Sequence, residues 1–128
     1  MIDILAVGLG GGCGAILRYG VSRLPFNDAF PWATFVVNIV GAVLLGFLTG
    51  LTRERGLLPA PLQLGLTTGL CGGFTTFSTF SLEAWDHLRD ERYLLAGGYV
   101  AASLVCCLAG IAVGMALAHL VIARTGPA

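Results

Sequence analysis

The chain has 128 residues, of which 56% are hydrophobic and 11% charged, with a mean hydropathy of +0.87. Soluble domains average about 25% charged residues and disorder needs low hydrophobicity with high net charge, so both are excluded and a membrane protein remains. Seven acids cancel seven bases, all of them arginine, which leaves no charge surplus to argue for nucleic acid or an acidic substrate.

Crossing the hydrocarbon takes about 20 mainly apolar residues. Residues 2–24 form the first expected span, marked only by Asp3 near its start and by Arg18 and Arg23 near its end. No basic region precedes an apolar core there, so a secretory signal is not expected. "LPFNDAFP" reads as a loop, with Pro25 and Pro31 flanking Asn27 and Asp28. Residues 32–52 are the second span and contain no ionisable residue. "RERGLLPAP" connects it to a third span, about 62–84. "EAWDHLRDERY" is the next polar link, and residues 94–123 form a fourth span long enough to tilt. The expected fold is therefore all-α: a single transmembrane domain of four helices.

Glycines recur at the GxxxG spacing in Gly8/Gly12, Gly10/Gly14, Gly46/Gly50, Gly65/Gly69, Gly69/Gly73 and Gly110/Gly114. In lipid, small residues that let backbones approach closely are the packing device between helices; spacing alone does not separate contacts within the chain from contacts with a second copy. Cys13, Cys71, Cys106 and Cys107 lie in apolar runs without CxxC spacing and read as small buried residues. With four spans, Arg53, Arg55 and Arg124 share one side, while Arg23, Arg89 and Arg92 share the other. Orientation normally follows an excess of Lys and Arg on the cytoplasmic side. Three against three gives no excess, so the chain is expected to be able to insert both ways, which permits an antiparallel homodimer.

Ionisable groups at depth are the default functional candidates in a membrane protein, and here they are scarce. Arg18 either snorkels to the interface or lines a vestibule. Glu83 and His87, at i and i+4, could pair or bind a metal but read rather as a solvated helix end, and His119 reads as a packed or interfacial residue. Asn38 is an amide in hydrocarbon that must find a partner or a wet cavity. Tyr99, Ser103 and Cys107 fall on one helical stripe. Ser103 there either faces a path or bonds its own helix carbonyl, and Tyr99 either lines that path or joins an interfacial belt.

The third span combines Gly65, Gly69, Gly72 and Gly73 with Thr67, Thr68, Thr75, Thr76, Ser78 and Thr79. Glycine costs about 1 kcal/mol against alanine inside a helix, and hydroxyls compete for backbone hydrogen bonds. A break near "CGGFTT" is expected. It would free carbonyls that coordinate cations, and helix N-termini that favour anions. Phe77 and Phe80, at i and i+3, can present ring edges, the positive part of the aromatic quadrupole. Ring edges, hydroxyls and Asn38 describe surroundings for a small anion without a fixed positive charge; they equally describe a packed cluster with self-satisfied hydroxyls.

"GGGCGAILRY" (10–19), "FVVNIVGAVLLG" (35–46) and "GLCGGFTTFSTFS" (69–81) resemble the three signatures of the small fluoride channels, the Fluc or CrcB family, and the similarity runs along nearly the whole chain. The resemblance implies a fluoride-selective channel in the cell (inner) membrane, an antiparallel dual-topology homodimer with two pores and a third helix broken at the dimer centre. It implies passive export of fluoride that accumulates after its neutral acid crosses the membrane. It also implies a structural sodium ion, not transported, on the main-chain carbonyls of Gly72 and Thr75 from both subunits. Phe77, Phe80, Asn38, Tyr99 and Ser103 match pore-lining positions, and Arg18 matches the arginine of the first signature. Cys107 departs from the pattern, standing where another hydroxyl is expected.

Two other membrane roles fit the length and span count. A small proton-coupled multidrug exporter needs a carboxylate inside the membrane, and the first span offers only Asp3 at its edge. An accessory membrane subunit without transport of its own is the other. An enzyme is not expected, since no Ser–His or His–Glu arrangement shares one depth. The P-loop pattern GxxxxGK[ST] is absent too.

Overall fold

The computed structural model describes residues 1–55 and 58–124, so the expected connector "RERGLLPAP" lies partly outside the described residues. Every regular element among them is helical: α1 (Ile2–Ser22), α2 (Trp32–Arg55), α3 (Ala60–Leu64), a π-helical run (Gly65–Cys71), α4 (Gly72–Phe74), α5 (Phe77–Arg89) and α6 (Tyr93–Arg124). Three of these, α1, α2 and α6, are long and apolar enough to cross a membrane.

The region between α2 and α6 is built from short pieces, and its last helix runs on to Arg89, past the expected limit near residue 84. The threonines explain part of this. Thr67 Oγ1 donates to Gln63 O at 2.8 Å and Thr75 Oγ1 to Cys71 O at 3.0 Å, bonds that bend a helix from within. The Gly72 N–H reaches Thr67 O, five residues back, the pattern of a π-helix, which is rare and often found at functional sites. Thr75 (ψ 160) and Thr76 (φ −149, ψ 115) are then extended. The chain restarts as α5 with Thr76 as its N-cap, the Thr76 Oγ1 accepting from the Thr79 N–H at 3.2 Å. Such a cap contributes about 1 kcal/mol. At the other end of α5, Glu91 takes a left-handed conformation (φ 59) while Arg92 N–H donates to His87 O at 2.8 Å. This Schellman-type closure turns the chain back into α6.

α1 packs along the π-helical run and α4, while α2 packs along α6. Both seams are backbone against backbone. A Cβ added at Gly14 would strike Leu70 O, and one at Gly73 would strike Gly11 O; across the other seam, Gly114 faces Val43 O and Gly46 faces Ile111 O. The glycine spacings thus serve packing inside the chain, except for Gly8 and Gly12, where a Cβ would meet nothing within 4 Å. Gly114→Ala is expected to lower stability by about 1–3 kcal/mol, since the obstructing atom is main chain. Gly12→Ala should be neutral or slightly stabilising, as alanine favours helix. Thermal unfolding in detergent separates the two, and a comparable loss at Gly12 would show that a second chain packs there.

Candidate functional site

The interruption between α4 and α5 leaves main-chain groups without helical partners, and Asn38 supplies one pair of them. Its Oδ1 accepts from the Thr76 N–H at 2.8 Å and its Nδ2 donates to Thr76 O at 3.1 Å. The amide therefore acts as a substitute peptide group, tying α2 to the extended residue. This answers the demand that an amide at such depth find partners, and it uses one of the two Nδ2 hydrogens.

An open groove of about 420 Å³ runs beside the interruption. Asn38, Gly72, Thr75, Phe77, Phe80 and Ser103 all line it, together with Cys107, and among the described residues no charged side chain does. Thus six of the eight residues singled out from the sequence meet on one surface. Phe77 is 77% exposed while Phe80 is only 8% exposed; their rings lie 5.6 Å apart at 43°. Ser103 is 6% exposed, and its Oγ has no hydrogen-bond partner among the described residues, so it does not bond its own helix carbonyl.

Tyr99 and Arg18 lie elsewhere. Tyr99 is fully buried rather than interfacial. Its ring packs behind Phe80 at 5.1 Å and edge-on to Phe30 at 5.3 Å, and its hydroxyl donates to Glu83 Oε2 at 2.7 Å. Thr34 Oγ1 donates to Glu83 Oε1 at 2.8 Å. Glu83, expected at a solvated helix end, is instead half-buried and holds α2, α5 and α6 together through two charge-assisted bonds. Nothing local in the sequence marks this: the three residues are brought together only by the tertiary fold. Arg18 turns inward rather than snorkelling. Its Nη1 donates to Thr75 O at 3.3 Å, and it lines a separate cavity of about 310 Å³ with Thr34, Thr76 and Thr79.

The fit of Gly72 and Thr75 to a small hard cation rests on oxygen donors. In a continuous α-helix the Gly72 carbonyl would take the Thr76 N–H, but that donor goes to Asn38. The Thr75 carbonyl keeps a second lone pair beyond the one that Arg18 uses. The donor chemistry fits, although the guanidinium on Thr75 O is an opposing charge.

Comparison with known proteins adds the following. The model of the family described as CrcB-like protein, Camphor Resistance (CrcB), matches residues 5–115. The chain is 47% identical over 121 residues to the fluoride-specific ion channel FluC of Methylobacterium sp. (strain 4-46), covering 91% of this chain and 96% of that one. It is 46% identical to the protein of the same name from Chlorobaculum tepidum, covering 94% and 97%, and 42% identical to that of Geobacter sulfurreducens, covering 93% and 98%.

Proposed function

The chain belongs to the CrcB family, and from that membership we propose that it is a multi-pass membrane protein acting as a fluoride-selective channel, which lets fluoride leave the cytoplasm passively and so limits its toxicity. The observation that carries the reading is the uncharged groove, where Asn38, Phe77, Phe80 and Ser103 converge beside an interrupted helix.

Fluoride is small and strongly hydrated, so the loss of its water has to be offset along a narrow path. The unpartnered Ser103 hydroxyl and the Asn38 amide belong to residues lining this groove and can donate, and the Phe77 and Phe80 edges add positive electrostatic potential. Each site is weak, so an ion can leave as readily as it enters. The work is passage rather than catalysis. Tyr99 supports the Phe80 ring from behind, and Arg18 steadies the Thr75 carbonyl.

The same reading takes α3 through α5 as a third, broken span among four, and two copies in opposite orientations, for which the even arginine balance speaks. The carbonyls of Gly72 and Thr75 from both copies would then hold a structural sodium ion, which would join the two broken helices by its charge. Thr75→Ala keeps the carbonyl and removes only the hydroxyl bonded to Cys71. It is expected to leave the dimer intact and to lower flux by less than about tenfold, since one hydrogen bond is worth about 1 kcal/mol. Loss of the dimer on size exclusion would refute the main-chain assignment.

The direct test is efflux from liposomes holding only this protein, read with a fluoride electrode. Fast valinomycin-dependent fluoride release without chloride release is expected. Silence for both ions, from folded protein with sodium present, would favour an accessory subunit.

A further inference from the structure

Cys107 stands one helical turn beyond Ser103 on α6, and both line the groove opposite Asn38 and Thr75. The hydrogen-bonding states of these groups differ. Thr75 Oγ1 donates to Cys71 O, and Asn38 is paired with the Thr76 main chain. Ser103 Oγ is buried and unpartnered among the described residues. Buried hydroxyls are normally satisfied, so an unpartnered one on a groove-lining residue leaves hydrogen-bonding capacity that a passing ligand can use.

Cys107 is the next polar group along that wall, half-buried and not in a disulfide. The other free thiols are placed differently. Cys71 borders the groove but is only 2% exposed. Cys13 lines a separate apolar cavity on α1, and Cys106 does not border the groove.

We propose that Cys107 is a thiol-modification site on the ion path: a small adduct on its Sγ fills the groove beside Ser103 and stops passage. This rests on the channel reading and goes beyond it, because a hydroxyl at the same position would not confer sensitivity to thiol-reactive compounds. Reactivity follows thiolate fraction and access, and a groove without charged walls favours a small neutral reagent. Methyl methanethiosulfonate is such a probe. Cys107 gives its proton to buffer and its sulfur attacks the sulfenyl sulfur of the reagent. A protein S–S bond forms, the S–S bond of the reagent breaks, and methanesulfinate leaves with the electron pair. A dithiol reverses the reaction and is itself oxidised to a disulfide.

The test uses the full chain in liposomes, with fluoride efflux before and after treatment and peptide mass spectrometry to locate the label. Labelling of Cys107 is expected to lower wild-type efflux by about tenfold or more, as filling of a narrow path requires, and dithiothreitol should restore it. Cys107→Ser, or Cys107→Ala should the first misfold, is expected to keep its own untreated rate after treatment. The proposal is overturned if that variant is blocked like wild type. It is equally overturned if labelled wild type conducts undiminished, or if Cys13 takes label while Cys107 does not. Absence of efflux before any treatment would instead overturn the channel reading, and this inference with it.

Discussion

Asn38→Asp is expected to reduce fluoride efflux by at least about two orders of magnitude, equivalent to a barrier raised by about 3 kcal/mol. Two effects add. An ionised carboxylate cannot donate, so the bond from Nδ2 to Thr76 O becomes a repulsion between two oxygens. The carboxylate also sets a negative charge on the groove wall, where the native lining carries none. Asn38→Ala separates the terms: it orphans both Thr76 groups without adding charge, at a cost of about 1–3 kcal/mol for each buried group left unpaired. Efflux from the two variants, alongside their thermal stability, is the measurement. An aspartate variant that conducts like wild type would remove Asn38 from the path.

Phe77→Ile is expected to abolish most of the flux while the folded protein keeps its stability. Phe77 is 77% exposed, so its ring does little for packing within the chain and its loss tests the ring edge itself. Isoleucine keeps the bulk and apolarity but has no quadrupole. Phe80→Ile is expected to stop flux as well, with an added stability loss of about 1 kcal/mol because Phe80 packs against Tyr99. Efflux measured beside unfolding temperature distinguishes them, and normal efflux from Phe77→Ile would remove the Phe77 ring edge from the ion path.

The features readable from sequence were those set by local chemistry. Long apolar runs separate α1, α2 and α6, and glycines at a spacing of four anticipate the seams. The crowd of hydroxyls and glycines near "CGGFTT" anticipates that the backbone leaves the helical conformation at Thr75 and Thr76. What stayed hidden is non-local. That Asn38 pairs with the Thr76 main chain, 38 residues away, depends on the registers of two helices at once. The charges in "EAWDHLR" suggested a link, yet Phe80 and Ala84 share one buried face of α5, and this carries the helix on to Arg89. Glu83 differs for the same reason: its place near a span end predicts water around the carboxylate, whereas Thr34 and Tyr99 satisfy it inside the fold.

The glycine contacts between α1 and the π-helical run, and between α2 and α6, bear on the width of the groove as well as on assembly. Where main chain touches main chain, the distance between the paired helices is set by backbone atoms rather than by side chains that could repack. Each seam is thereby a rigid spacer as much as a joint. The groove beside the interruption lies between elements that these seams hold in place, so its width depends on Gly14, Gly46, Gly73 and Gly114 staying bare.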